Sequence, residues 1–164
     1  AFVINLLSLF VFRPLLTDLA RDWEGENIKE FTDIVKKMMI LIGALTIAAC
    51  VGAYLLGIPI LSLVYGVDLR AYRMELVIIM ICGGLNAYVY CLYYVVTVTG
   101  KQIFLLLGYG AGLIFAVFLG SSFVKSLGML GAALSCTLSF GVVFIVFLII
   151  TSCVVKDRKK KTEV

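Results

Sequence analysis

The chain has 164 residues, of which 63% are hydrophobic and only 15% are charged, with 14 basic and 10 acidic side chains and no histidine. A soluble domain usually carries about 25% charged residues, so this composition excludes an ordinary soluble globular protein. The charges are confined to short segments and leave long apolar stretches between them. The composition therefore predicts an all-α bundle of transmembrane helices.

The first apolar stretch, residues 1–12, is too short to cross a bilayer. Twelve residues of α-helix rise about 18 Å, whereas the hydrocarbon core is about 30 Å thick. The stretch has neither the basic start nor the small-residue cleavage site of a signal peptide. We expect it to be the end of a truncated transmembrane helix, so that the chain is a fragment of a longer protein.

Residues 13–37 are polar and are predicted to form a cytoplasmic loop that contains an amphipathic helix. Pro14 suits the first turn of a short helix that Gly25 would end, and Asn27 with Glu30 resembles a capping box for the next helix. Beyond the capping box, apolar side chains recur on one helical face, at Ile28, Phe31, Ile34, Val35 and Met38. This spacing predicts a helix that lies in the headgroup region and leads into the next span.

Four long stretches with almost no charge follow, and they predict a four-helix transmembrane region over residues 38–155. Each exceeds the roughly 20 apolar residues that a transmembrane helix needs, and none alternates with the period of two that is typical of a barrel strand. The predicted spans are approximately residues 38–65, 76–99, 103–124 and 127–155. Residues 156–164 are predicted to be a basic cytoplasmic tail.

The basic residues predict the orientation. Most of them fall in residues 13–37, at Lys101 and in the tail, whereas Arg70, Arg73 and Lys125 would lie on the opposite side. The positive-inside rule therefore predicts a multi-pass protein of the plasma membrane with a cytoplasmic C-terminus. The tail is expected to contact membrane lipids, and no nucleic acid partner is expected.

No residue pattern indicates an enzyme or a bound cofactor. The five cysteines all lie in apolar stretches without CxxC spacing, and the absence of histidine leaves no recognisable metal site. The cysteines are interpreted as small hydrophobic residues of the core. We therefore expect no catalytic residues, no metal and no cofactor.

One face of the predicted span 76–99 carries polar and aromatic side chains that are candidates for lining a substrate cavity, namely Asn86, Tyr90, Tyr93, Tyr94 and Thr97. A carboxamide or a phenol in hydrocarbon needs a partner, so this face would contact either neighbouring helices or a water-filled cavity. Packing between helices and contact with sugar rings both remain open.

Small residues and one proline mark further positions in the spans. Gly108 and Gly112 have the GxxxG spacing of close helix contacts, and a second small-residue face is formed by Gly128, Ala132 and Ser135. Both sets are interpreted as helix-packing residues. Pro59 is predicted to kink its span and is a hinge candidate.

Four segments resemble a known family. They are RPLLTDLARDWEGENIKEF at 13–31, GIPILSLVYG at 57–66, VTGKQIFLL at 98–106 and SLGMLGAALSCTLS at 126–139. In this order they resemble the C-terminal part of polysaccharide or O-antigen flippases of the multidrug/oligosaccharidyl-lipid/polysaccharide exporter superfamily. The resemblance implies the C-terminal half of a MATE-like transporter, whose partners would be its N-terminal half and a lipid-linked oligosaccharide. Such proteins carry this substrate across the bacterial plasma membrane by alternating access.

Two other functions remain as alternatives. A drug or cation exporter of the same superfamily would be expected to use a carboxylate within the membrane, and this sequence has none at mid-depth of a span. A membrane-embedded glycan polymerase or acyltransferase would need histidine, arginine or carboxylate groups gathered in a pocket.

Overall fold

A computed structural model describes residues 19–21, 23, 25, 28–66 and 72–162, with side chains up to Arg158. Every regular element in this part of the chain is a helix, which confirms the all-α prediction. The predictions for residues 1–12, for Pro14 and for Asn27 lie outside the described residues.

Helix α1, Ile28–Gly52, contains the predicted amphipathic segment as its first turns. Four of the five residues of the predicted apolar face are buried, namely Ile28, Phe31, Val35 and Met38, and Ile34 is partly buried. The buried face continues at Ile42. The same face continues without interruption into the apolar part of α1, so the amphipathic segment and the following apolar stretch form one helix. The position of this segment in the headgroup region stays a prediction. Thr32 and Thr46 donate hydrogen bonds to the carbonyls of Ile28 and Ile42, both at 2.7 Å, which satisfies their hydroxyls within the helix.

A π-helical turn over Ala53–Gly57 separates α1 from α2, Ile58–Tyr65. Pro59 lies directly after this turn, at the start of α2. Proline lacks an N–H, and in a regular α-helix its ring would clash with the carbonyl four residues earlier, so a wider turn just before it is expected. The role of Pro59 as a hinge stays a prediction. Helix α2 ends at Gly66, whose φ of +67° favours glycine and whose N–H donates to the carbonyl of Ser62 at 2.9 Å.

Helix α3, Arg73–Val98, packs against α1 in the antiparallel direction. Phe31 and Val35 near the start of α1 share a buried cluster with Val95 near the end of α3. Farther along, Thr46 lies so close to Gly84 that a methyl group on the glycine would overlap the threonine side chain. Glycine is thus the residue that allows the two helices to approach at this point.

Helix α4 covers Ile103–Thr162 and is broken at Gly128, which has a φ of 58° and a ψ of −128°. Residues 103–127, the first arm, turn back at this glycine against residues 129–162, the second arm. Gly108 contacts Phe147, and Gly112 contacts Val143, so a later residue of the first arm meets an earlier residue of the second arm. The two arms therefore form an antiparallel helical hairpin.

Both arms pack against α3 in a second buried cluster, which is formed by Val89, Leu92 and Val96 of α3 with Leu105, Val143 and Phe147 of α4. Tyr88 of α3 also contacts Phe144 of the second arm, with ring centroids 5.5 Å apart. Helix α3 is thus the central element, in contact with α1 on one side and with the hairpin on the other.

Within the described residues, three helical stretches are long and apolar enough to cross a membrane. They are Ile28–Tyr65, Arg73–Val98 and Ile103–Arg158. The last stretch has 56 residues. A straight helix of that length would extend about 84 Å, more than twice the thickness of a bilayer core, whereas each arm by itself has more than the roughly 20 residues needed to cross one.

The two ends of the described chain meet at one end of the bundle. The guanidinium of Arg158 lies 4.8 Å from the centroid of the Trp23 ring and donates a hydrogen bond to the Trp23 carbonyl at 3.2 Å. Trp23 in turn packs on Phe31 with a centroid distance of 5.0 Å. The end of α4 and the segment before α1 are therefore held together.

We expect Arg158→Ala to release this contact. The loss of the cation–π interaction should cost about 0.5–1 kcal/mol of unfolding free energy. Because Trp23 is the sole tryptophan of the sequence, iodide quenching of tryptophan fluorescence should increase. Lys156→Ala, at an exposed position two residues earlier, is the matched control. Equal quenching in both variants would contradict the contact.

Candidate functional site

The predicted cavity-lining residues all lie in the second half of α3, but they do not form one continuous polar line. Tyr90 is 40% exposed, whereas Asn86 and Tyr94 are partly buried. Tyr93 and Tyr94 are consecutive, so they point in different directions, and their rings meet edge to face at 5.4 Å. The hydroxyl of Thr97 donates to the carbonyl of Tyr93 at 2.8 Å, so its hydrogen is used within the helix.

Tyr109 on the first arm joins this face and was missed from the sequence. Its ring packs edge to face on Phe147 at 5.3 Å, and Tyr93 packs against the buried cluster that contains Phe147. Tyr90 lies about one helical turn before Tyr93 on α3. We call Tyr90, Tyr93 and Tyr109 the tyrosine cluster. In the sequence Tyr109 stands between Gly108 and Gly110, where the glycine spacing indicated packing only. The sequence feature that could have revealed Tyr109 is the short connection between α3 and α4. It makes the two helices run antiparallel, so the start of α4 lies beside the end of α3.

A groove of about 810 Å³ lies between the two arms of α4, and Tyr109 is on its wall. The other lining residues are almost all apolar or small: Leu106, Gly110, Gly112, Leu113, Ala116, Val124, Ala132, Ser135, Cys136, Ser139, Phe140 and Val143. The hydroxyl of Ser139 donates to the carbonyl of Ser135 at 2.8 Å, so its hydrogen is used inside the helix. The groove is therefore an apolar surface that borders the tyrosine cluster through Tyr109.

The five residues predicted to lie at contacts between helices are found in three different environments. Gly108 and Gly112 lie directly against the second arm, and Ser135 faces Gly120, whose added β-carbon would be 3.2 Å from the serine hydroxyl oxygen. Ala132 is exposed on the groove wall. Gly128 has no atom within 4 Å of the position of a β-carbon, so its role is to form the turn rather than to pack.

A separate group of charges lies where α3 begins. The Arg73 guanidinium is 5.1 Å from the centroid of the Tyr54 ring in the π-helical turn. The Nε atom of Arg73 and one carboxylate oxygen of Glu75 are buried without a hydrogen-bond partner. Arg73 thus ties the start of α3 to the π-helical turn, far along α3 from the tyrosine cluster.

The helical segments around the tyrosine cluster carry no charged side chain. The sequence has no Asp, Glu, Lys or Arg in residues 76–98, 103–124 or 126–155, which form the surrounding helices. Among the described residues, no group of three or more His, Cys, Asp or Glu side chains could hold a metal ion. What the cluster offers is aromatic faces for stacking and hydroxyls for hydrogen bonds, the chemistry that recognises neutral polar rings.

Comparison of the chain with family models, with curated proteins and with solved structures finds no match. The geometry of the tyrosine cluster and of the groove is therefore what bears on function.

Proposed function

We propose that the chain is part of a transporter that moves lipid-linked oligosaccharides across the plasma membrane by alternating access. The observation that carries this proposal is the tyrosine cluster, a partly exposed group of phenols on long helical segments without charged side chains. Phenols in hydrocarbon lower the cost of desolvating hydroxyl-rich ligands by stacking on their rings and by hydrogen bonding. The resemblance of four sequence segments to polysaccharide flippases supports the same substrate class.

The proposed protein crosses the membrane four times within the described chain. The crossings are α1 with α2, then α3, then each arm of α4, because each arm is about one bilayer long. An even number of crossings returns the chain to its starting side, in agreement with the contact between Trp23 and Arg158. The excess of basic residues at this end makes it the cytoplasmic end.

Labelling with a membrane-impermeant maleimide tests this topology. We expect the thiol introduced by Lys125→Cys, near the Gly128 turn, to react in intact cells, and the thiol introduced by Thr162→Cys to react only after the membrane is permeabilised. Each variant is made with the five native cysteines replaced by alanine, and that cysteine-free chain is the control for background labelling. Reaction of the Thr162→Cys thiol in intact cells would contradict the proposed orientation.

The uncharged helical segments around the tyrosine cluster suit the sugar part of the proposed substrate, whose charged pyrophosphate would be bound by the N-terminal half of the proposed transporter. A cation exporter needs a carboxylate in its cavity to offset the cost of burying the ligand charge, and the helices around the tyrosine cluster carry none. Neutral phenols bind sugars more weakly than a charged pair would bind an ion. Weak binding suits a carrier, which must release its substrate on the opposite side.

The experiment is a flipping assay on the full-length protein in liposomes that contain a fluorescent lipid-linked oligosaccharide. Substituting Tyr90, Tyr93 and Tyr109 with phenylalanine keeps the rings and removes the hydroxyls. Each lost hydrogen bond is worth about 0.5–1.5 kcal/mol, so the triple variant should flip the lipid at least about tenfold more slowly. The matched control is Tyr65→Phe at the exposed end of α2. A triple variant as fast as the wild type, or a wild type without activity, would refute the proposal.

A further inference from the structure

Two cysteines face each other where α3 packs against the second arm of α4. The Sγ atoms of Cys82 on α3 and Cys136 on the second arm of α4 are 3.4 Å apart. Cys82 is buried, whereas Cys136 is exposed and lines the 810 Å³ groove. Both are free thiols in the structure. The spacing of the cysteines did not predict this pair, because the two residues are 54 positions apart.

The geometry of the pair suits a disulfide. A disulfide has an S–S distance of about 2.05 Å, so the two sulfurs need to approach by roughly 1.4 Å. Small rotations about the two side-chain bonds can supply such an approach. The sulfurs are already in direct contact, so no side chain has to leave before they can react.

We propose that Cys82 and Cys136 are a redox-active dithiol whose oxidation by a membrane-dissolved quinone joins α3 to the second arm of α4. In this reaction both S–H bonds break and one S–S bond forms. The two electrons and two protons pass to the quinone, which becomes the hydroquinone. A dithiol reductant reverses the reaction by thiol–disulfide exchange.

The position of the pair selects the class of oxidant. Cys82 lies nine residues after the start of the 26-residue α3, about 14 Å along the helix, which in the proposed topology places it within the hydrocarbon core. Strongly polar oxidants are excluded from hydrocarbon at that depth, whereas a quinone dissolves in it. Cys136 is accessible from the groove wall, which gives such an oxidant a route to one of the two sulfurs.

The disulfide would fix the helix that carries Tyr90 and Tyr93 to one arm of the hairpin. This consequence rests on the proposed function. If its transport cycle includes a shift of α3 against α4, oxidation should arrest transport. The disulfide itself is independent of that function, and the two can be tested separately.

The first experiment uses the full chain in lipid nanodiscs, with Cys50→Ala, Cys91→Ala and Cys153→Ala so that only the pair remains. The probe is decylubiquinone, a fully substituted quinone with no free ring carbon for thiol addition. We expect the intact mass to fall by two hydrogens, both thiols to become unreactive towards maleimide after denaturation, and dithiothreitol to restore them. The matched control combines Cys136→Ser with Leu138→Cys, which keeps two thiols and moves one to another face of the arm.

Retention of both free thiols in the pair, or equal oxidation of the control, would overturn the proposal. Since Cys91 is buried and its replacement can perturb folding, the wild-type chain is also oxidised and digested without reduction. A disulfide-linked peptide that joins residues 82 and 136 is expected, and a scrambled set of links would refute the pairing. In the flipping assay, oxidation should stop the wild type but not Cys82→Ser. Continued transport by a fully cross-linked protein would refute the expected arrest of transport, but not the formation of the disulfide.

Discussion

Gly128→Ala is expected to open the hairpin of α4. At a φ of 58° and a ψ of −128°, an alanine β-carbon clashes with its own backbone, and such strain costs on the order of 1–3 kcal/mol. A helical conformation at this position would relieve the strain but would separate the arms, with loss of the contacts of Gly108 and Gly112. The variant therefore loses stability whichever conformation it adopts.

Two measurements check the Gly128→Ala prediction. The thermal midpoint in detergent should fall, and spin labels attached through Leu106→Cys and Ile149→Cys, at exposed positions on facing parts of the two arms, should move apart. Gly110→Ala is the matched control, because Gly110 is helical and has no atom within 4 Å of a β-carbon position. It should be stabilising by about 0.5–1 kcal/mol. A Gly128→Ala variant with an unchanged midpoint and label distance would contradict the turn.

Gly84→Leu is expected to separate α1 from α3. A β-carbon at this position overlaps the side chain of Thr46, and Thr46 is held in place by its hydrogen bond to the carbonyl of Ile42. Overpacking of this kind costs about 1–3 kcal/mol, and the larger side chain should place the loss at the upper end. Gly84→Ala should cause a smaller loss of the same sign.

A double-mutant cycle isolates the contact between Thr46 and Gly84. Thr46→Ala removes both atoms that approach nearest to the added β-carbon, so it should recover part of the stability that Gly84→Ala loses. The measurement is the unfolding free energy in detergent, and Gly141→Ala, with no neighbouring atom within 4 Å, is the control. Additive effects in the cycle would show that the two residues do not touch.

The helices were readable from the sequence because membrane spans are long and nearly free of charge. The buried face of α1 was also readable, since Ile28, Phe31 and Val35 follow polar residues that define the opposite face. The pattern does not show whether this apolar face meets lipid or another helix. Packing against α3 decided that, and α3 is distant in the sequence.

The composition of the candidate site was harder to predict. In α4 apolar residues occupy all faces, so the sequence does not distinguish a side chain that faces lipid from one that faces protein. The partner of Tyr109 and the contact between Cys82 and Cys136 depend on the register of the hairpin, which Gly128 sets. The glycine spacing near Tyr109 indicated close packing, but not which residue would fill the space.

The tight turn at Gly128 also has a consequence for biogenesis. A turn of this kind leaves no hydrophilic loop between the arms, so in the proposed topology neither arm can pause in the bilayer while the other is synthesised. The two arms would have to leave the translocon together and carry Lys125 across as a single charge. That charge costs about 2.5–3.5 kcal/mol at the bilayer centre, which the apolar residues of the two arms readily offset. Insertion of this region is then one concerted event rather than two.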